Sequence, residues 1–536
     1  MQSIMWRGGR AAWACAAGAV ACSGVLARAH PDLALELQRR DPQTGALRLT
    51  QERVDPATVG VVVIDMWNFH WCKTSTQRVA ALVPRMNRVL AEARALGMRV
   101  FLCPTDVADN YVGTGLVEPV MMVTPLPLPQ ARTIACPPAP DGGGCTCGKE
   151  RCLVNYGWDA MNPELVIGEH DLMPNDPERL YALCRARGIT RLIYMGVHTQ
   201  VCLLGKSVGL RRMLEAGFEC ILARDLTDAH GRYDPEHGVT PDGFTATVVA
   251  HFEKYLAPSI NFAETLRRNG DWDDHWIVDP VRIAPWGTLR RPHLFEDPIT
   301  VTLTIPWHPA ATIHYTLDGS APSLASAAYT KPFVVAATTR LRAIAYERGR
   351  VVSLPSAAFY AKLGPRPPLP DLYLSDLQPW RAVGPGHAIA FGEDRYSPDA
   401  QPAQRDHNNR GQSLRLRGQD YTKGLGVHAP NQLIYDLKPQ YRRFVALAGV
   451  DEHLVDISNG SNLARYPSVV FKVFLDGREV SASPVMRLAA DPWRFDVPLP
   501  PGSRRLSLVA TDAGDGNRED LANWVNAGFV LRQPRN

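Results

Sequence analysis

From about Val54 to Ile260 the chain alternates short, wholly apolar runs with longer segments of helical periodicity. Val59-Gly-Val-Val-Val-Ile-Asp65 is apolar until its closing carboxylate, the pattern of a strand buried on both faces. Next comes Val79 to Leu96, with Val79, Leu82, Met86, Leu90 and Ala93 on one helical stripe and Gly97 as a stop. Pro84 inside it predicts either the start of the regular helix or a kink. Met98 to Cys103 reads as a strand and Glu178 to Arg187 as a helix stopped by Gly188. Arg191 to Met195 reads as a strand, Leu203 to Ala216 as a helix capped by Gly217, and Phe218 to Ala223 as a strand. This alternation predicts a parallel sheet with helices on both faces, a three-layer α/β domain. Ligands of such sheets bind beyond the carboxyl ends of the strands, where Asp65, Asp106 and Cys202 all fall.

The pattern changes after a connection rich in Trp and Pro, Trp272 to Pro292. Strands there become short, with turn signals every ~8–12 residues. Ile313 to Ser320 is a strand running into an Asp-Gly turn, and Thr339 to Tyr346 is its expected partner. The stiff linker Gly364-Pro-Arg-Pro-Pro-Leu-Pro370 separates this small β unit from a second all-β stretch, Leu372 to Leu531, long enough for a complete sandwich.

A chain of 536 residues is too long for one core. The net charge of +4 argues for neither a nucleic-acid partner nor a membrane surface. Residues 1–29 read as a secretory signal: Arg7 and Arg10 precede an apolar run to Leu26, and Ala27-Arg28-Ala29 is the cleavage site. Ala19-Val-Ala-Cys22 is a poor lipoprotein box, so the expectation is soluble export, periplasmic or extracellular, over lipid anchoring. No other segment has the length and apolarity of a membrane span. Removing Cys15 and Cys22 with the signal leaves nine of the 11 cysteines. Cys136, Cys145, Cys147 and Cys152 crowd into one loop. Their spacing matches no common zinc pattern, so an exported protein favours disulfides there over a zinc knot.

Cys202 follows the strand Arg191 to Met195 at the point where a helix is expected to begin. Amides there stabilise a thiolate, which predicts a depressed thiol pKa and a nucleophile. A buried structural cysteine is the alternative reading. Asp65, at a neighbouring strand end, is placed to manage the thiol's proton.

Val62-Val-Ile-Asp65-Met, Gly196-Val-His-Thr-Gln-Val-Cys202 and Glu215-Ala-Gly-Phe-Glu-Cys-Ile-Leu-Ala-Arg-Asp225 resemble the isochorismatase-like cysteine hydrolases, in the right order over about two hundred residues. The resemblance implies an Asp–Lys–Cys triad with Cys202 and Asp65 as two members. It also implies a cis peptide between Val197 and His198, and an oxyanion hole from the N–H groups of Val201 and Cys202. The chain departs from the pattern at Glu169, which aligns with the family lysine when Leu165 to Ile189 is laid on the motif. A carboxylate there raises a thiol pKa. Lys73, His70, His198 and His170 are the cations available as replacements. The segment Cys103 to Tyr111 lacks the histidines of the metal-bearing relatives, so no zinc or iron site is expected and no cofactor is required. Trp67, Phe69 and Trp71 either wall a substrate pocket, together with His70, Lys73 and Asp106, or pack under a lid.

Ile313-His-Tyr-Thr-Leu-Asp-Gly-Ser-Ala-Pro322, Tyr329-Thr-Lys-Pro332 and Thr338 to Ala343 resemble the chitobiase/β-hexosaminidase C-terminal immunoglobulin-like module, a spacer in secreted carbohydrate enzymes. Tyr373 to Leu377, Tyr421 to Ala429, Phe444 to Asp451, Phe471 to Gly477 and Thr511 to Asn517 resemble the NPCBM family, a carbohydrate-binding jelly-roll sandwich of galactose-binding type. That resemblance makes Trp380, His428, Asp451, Asn517 and Trp524 the candidate sugar contacts, with Trp524 equally readable as core. Asp512, Asp515, Asn517 and Asp520 cluster in a Gly-rich loop, read either as a calcium site or as an acidic turn. The expected organisation is a signal over 1–29, a hydrolase-like domain over 30–270, an Ig-like module over 285–362 and a binding sandwich over 371–533. The expected activity is hydrolysis of a small amide or ureide by Cys202 on a protein held to glycan. The alternative is a non-catalytic glycan-binding protein with a degenerate hydrolase domain. Oligomeric state is not legible.

Overall fold

The computed structural model describes residues 32–531, apart from 143, 148–151, 153–157, 159, 232, 235, 236, 271, 273–276, 385, 386, 390, 392–401, 456–466 and 518. The expected signal, residues 1–29, lies outside the described residues. Among the described residues, no helix is long and apolar enough to cross a membrane.

The N-terminal domain is a seven-stranded sheet in the order β2-β1-β7-β6-β5-β3-β4. Its strands are β1 (Leu33–Arg40), β2 (Leu47–Val54), β3 (Val59–Ile64), β4 (Arg99–Cys103), β5 (Arg191–Val197), β6 (Glu219–Asp228) and β7 (Ser259–Ile260). Strands β3 to β7 run parallel, and the β1–β2 hairpin joins antiparallel at one edge through Gln38 and Ser259. Every residue of β3 is buried, as its unbroken apolar run requires. The helices are α1 (Lys73–Ala95), α2 (Glu118–Met121), α3 (Pro177–Ala186), α4 (Leu210–Glu215), α5 (Pro241–Tyr255) and α6 (Phe262–Asn269). Two separate cores line the two faces of the sheet: Val61 and Val63 point into one, Val62 and Ile64 into the other.

Two helices differ from expectation. Helix α1 begins at Lys73 and passes through Pro84 without ending there, because its buried stripe from Val79 to Ala93 outweighs one missing hydrogen bond. The expected helix from Leu203 is instead a wide π-helical turn, Thr199–Leu203, followed only later by α4.

The middle module pairs Thr312–Thr316 antiparallel with Thr339–Glu347, with Ile313 opposite Ala345, as the sequence pattern predicts. The Asp318-Gly319 turn closes the first of these strands with Gly319 at φ +85°. From Leu372 onward two antiparallel sheets face each other, one carrying Gly424–His428, Leu521–Leu531, Tyr441–Val450 and Trp493–Pro498, the other Arg381–Gly384, Asn431–Asp436, Arg505–Thr511 and Val470–Leu475. Phe444, Phe471, Phe495, Trp524 and Phe529 fill the space between them.

A buried ionic network joins the α/β domain to the middle module. Arg78 forms a bidentate pair with Asp228 and a second pair with Asp242 (2.7 Å), while Asp242 also binds Arg282 (2.5 Å) and accepts from the Thr304 hydroxyl. Burial alone would raise the Asp242 pKa, but Arg78 and Arg282 hold it well below the ordinary carboxylate value of 3.8. A carboxylate depressed in the folded state contributes stability that is full above its unfolded pKa and is lost as pH falls. Asp242→Ala leaves two buried guanidinium groups short of a partner. It is expected to cost roughly 3–5 kcal/mol, and the wild type is expected to lose stability below about pH 4. Denaturant melts of both chains between pH 3 and 7 check this, and parallel pH profiles for the two would refute it.

Candidate functional site

Asp65 is the first residue past β3, with φ 62°, and Met66 follows at φ 61°. This left-handed step turns the carboxylate under the end of β4, where the Thr105 N–H (2.6 Å) and hydroxyl (2.7 Å) both donate to Asp65 Oδ1. Gly196 near the end of β5 is required by packing: a Cβ there would lie 2.0 Å from the Ile64 carbonyl oxygen, and its φ is +105°. That approach brings the π-helical turn and its Cys202 against Asp65. The Val197–His198 peptide is cis.

The Cys202 thiol stands close enough to the Asp65 carboxylate for the two to act on each other electrostatically, and the Thr105 hydroxyl lies 4.0 Å from its sulfur. Lys206 Nζ stands 3.8 Å from Asp65 Oδ1 and donates to the Cys103 carbonyl at 2.8 Å. Asp, Cys and Lys therefore meet at the carboxyl ends of β3, β4 and β5. Burial pushes the Cys202 thiol up to about 12, and the adjacent Asp65 carboxylate pushes in the same direction, while Thr105 and Lys206 act against them. The sequence-based expectation of a depressed thiol pKa is reversed, because the cost of desolvation exceeds what the amide dipoles and one lysine return. Asp65 is itself raised, by burial first, with Lys206 and the Thr105 donors opposing. The resting thiol is therefore neutral near pH 7, beside a buried carboxyl group whose charged form Lys206 and Thr105 favour.

Glu169 lies far from this group. It is exposed in the turn before Leu172, and its neighbour His170 accepts from Arg99 at the start of β4, whereas the site lies past Cys103 at the other end. The segment runs alongside β4, so that Pro174 is the residue beside Cys103. Lys73, at the start of α1, lines a different cleft with Trp71, Arg291, Arg417 and Arg487. His70 and His198 are buried, with pKa values lowered by burial, His198 to about 3. Neither is a cation near neutral pH. The cation at the site is Lys206, whose sequence signal is its i,i+4 spacing from Cys202.

The cleft over Cys202 is open and lined by Thr105, Asp106, Asp109, Asn175, Val201 and Lys206. Asp106 is one of the residues lining this cleft. Trp67 and His70 are not; they form a buried stack, Trp67 on Trp158 at 4.5 Å and on His70 at 4.9 Å, with His198 stacked on His230 at 4.5 Å. Trp158 Nε1 donates to the Thr105 carbonyl (2.8 Å), which ties this stack to the site. The Val201 N–H donates to the His198 carbonyl (3.0 Å), so one of the two expected oxyanion donors is engaged within the turn. Cys136 does not join the other loop cysteines and lies instead near Arg211 (3.8 Å). Cys72, at the start of α1, takes its place beside Cys145 and Cys147.

In the sandwich, Trp524 is 1% exposed and packs on Phe471 and Phe495, which makes it core. Asp451 is buried too, accepting from Asn408 Nδ2 (3.0 Å), the His453 N–H (3.0 Å) and Asn523, and so ties loops together. His428 is half-buried beside the Arg410–Glu519 pair. Trp380 is 51% exposed with the Arg505 guanidinium 3.7 Å over its ring. It lies beside Ile434, far along the strand Asn431–Asp436 that begins just after His428, so the two rings belong to opposite ends of the sandwich. Asn517 is exposed. Asp515 pairs with Arg290 and Arg487, and Asp512 accepts from Gly514 in its own turn. Asp520 is raised to about 7, by burial first. Among the described residues, Asp512, Asp515 and Asp520 do not converge on a common point as a set of metal ligands.

Comparison with known proteins adds the following. Residues 372–530 match the NPCBM/NEW2 domain model and residues 301–357 the Fn3 associated model. A Renibacterium salmoninarum protein carrying the name endo-alpha-N-acetylgalactosaminidase is 32% identical over 174 residues, 32% of this chain and 10% of that protein. The chain thus spans about a tenth of this relative's length. A Clostridium perfringens CBM51 module solved with methyl-galactose is 27% identical and covers 30% of this chain and 99% of its own, at a TM-score of 0.24. A Pseudomonas putida isochorismatase structure is 13% identical and covers 39% of this chain and 91% of its own, at a TM-score of 0.25. Residues 372–530 are an NPCBM/NEW2 domain, and residues 301–357 belong to the Fn3-associated family.

Proposed function

We propose that the chain is an exported cysteine hydrolase of small amides or ureides, held to glycan by its C-terminal sandwich. One observation carries the catalytic half: Cys202 and Lys206 line an open cleft with the buried Asp65 beneath them, the lysine 3.8 Å from its Oδ1. In this reading Asp65 takes the thiol proton as Cys202 attacks the carbonyl carbon, giving a tetrahedral adduct and then a thioester as the amine departs with a proton. Lys206 opposes the rise in the Asp65 pKa that burial causes and balances the charge that develops on sulfur and oxygen. The Cys202 N–H is the oxyanion donor this reading assigns.

The glycan half rests on the family match of residues 372–530. The full chain is expected to bind immobilised glycans on an array, with galactose- and hexosamine-terminated sugars the first to try. Absence of retention on every sugar would remove the tethering role. A second, non-catalytic reading draws on the Cys202 thiol at about 12. An unbiased amide and ureide turnover screen on the full chain separates the two, since a scaffold turns over nothing.

A further inference from the structure

We infer that Cys72, Cys145, Cys147 and Cys152 form a structural tetrathiolate site for one zinc ion, which pins the loop ending at Cys152 to the start of α1. The four sulfurs all lie within 4.8 Å of one another. Cys72 is 3.5 Å from Cys147 and 3.7 Å from Cys145, and Cys147 is 3.6 Å from Cys152. Zinc–sulfur bonds of about 2.3 Å in a tetrahedron require sulfur–sulfur edges of about 3.8 Å, close to these three. The sulfurs are also not sorted into couples: Cys147 is equally near Cys72 and Cys152, and Cys72 equally near Cys145 and Cys147. A disulfide framework would give each sulfur one partner, whereas a central ion asks for a mutual cluster.

The surroundings suit thiolates. The backbone N–H of Thr146 points at the Cys72 sulfur (3.3 Å), and those of Cys147 and Cys152 point at the Cys145 sulfur (3.4 Å each). The Thr74 hydroxyl lies 3.1 Å from the Cys147 sulfur. Such N–H···S and O–H···S contacts orient ligands from outside the coordination sphere. Four thiolates around Zn²⁺ carry a net charge of −2, and Lys73, whose positive charge acts on Cys152, lines the adjoining cleft. Binding one ion releases the four thiol protons to solvent, so the balance needs no oxidant.

The consequence reaches the cleft. The chain that leaves Cys152 carries Trp158, which stacks on Trp67 and donates to the Thr105 carbonyl. An ion at the cysteines therefore anchors the near end of the segment that backs Thr105.

Elemental analysis of the purified full chain is expected to find one zinc per molecule. Cys72→Ser and Cys152→Ser are expected to lose it, and Cys136→Ser to keep it. Should the first two variants fail to fold, cobalt substituted into the wild type reports the same site through the intense visible absorption of tetrahedral tetrathiolate cobalt. Two disulfides among these four cysteines in non-reducing peptide mapping would overturn the inference. So would four alkylatable thiols in metal-free protein, or iron in place of zinc.

Discussion

Cys202→Ala is expected to lower turnover of whichever amide or ureide the full chain hydrolyses by at least about 10⁴-fold, or roughly 5 kcal/mol of transition-state stabilisation. The variant removes the atom that the mechanism asks to form a covalent bond. Asp65→Asn is expected to fall by a similar factor, because a thiol held at about 12 does not ionise alone near neutral pH and depends on a base at the moment of attack. The two losses should not add in the double variant, since nucleophile and base act as one unit. Stability is expected to change by about 1 kcal/mol or less on truncating the half-buried Cys202. Glycan binding should be untouched, because Cys202 packs against a core cluster of the α/β domain that contains no sandwich residue. Steady-state kinetics, with a glycan array as control, make the comparison. Full turnover by Cys202→Ala would end the nucleophile assignment.

Lys206→Met should give the second largest effect, about 10²-fold in kcat/KM, or near 2.7 kcal/mol. Lys206 lowers both the Asp65 and the Cys202 pKa, so its removal moves both upward. Activity requires ionised Asp65 and therefore rises with pH through the Asp65 pKa. In Lys206→Met that acid limb moves to higher pH, and alkylation of Cys202 slows at every pH below its own pKa. Lys206→Arg keeps the charge and should recover part of the loss, short of wild type because a planar fork replaces a compact ammonium. The pH profile is the discriminating readout: Lys206 also donates to the Cys103 carbonyl, and a merely structural role would lower activity evenly across pH. An unshifted acid limb in Lys206→Met would remove the lysine from the triad. Glu169→Lys, by contrast, is expected to restore nothing, because residue 169 is exposed beside the opposite end of β4.

The fold of each domain was legible because its signal is periodic. Val59 to Ile64 is apolar at every position, so both faces had to be buried, and that alone calls for a parallel sheet covered on two sides. Asp65 and Cys202 were legible for the related reason that strand ends in such sheets share one edge. Lys206 was harder to read. Aligning Glu169 with a lysine assumed that the segment before α3 reaches the site, but it runs beside β4 and presents Pro174 and Asn175 at that end. The lysine beside Asp65 comes from the turn after Cys202, at an i,i+4 spacing visible in the sequence.

Periodicity along the chain, by itself, determined the α/β and all-β architecture, the order of the domains, and the strand ends on which chemistry would fall. It did so because burial acts on each short segment in turn. Only the tertiary structure decided which charges and sulfurs meet: Lys206 with Asp65 instead of Glu169, and Cys72 instead of Cys136 among the clustered cysteines. It also decided the state of the thiol, raised to about 12 by desolvation where a local helix-terminus argument predicts the reverse. Pairings between residues far apart in the chain depend on how elements pack, and burial energies depend on everything within a few ångströms, neither of which a linear pattern encodes.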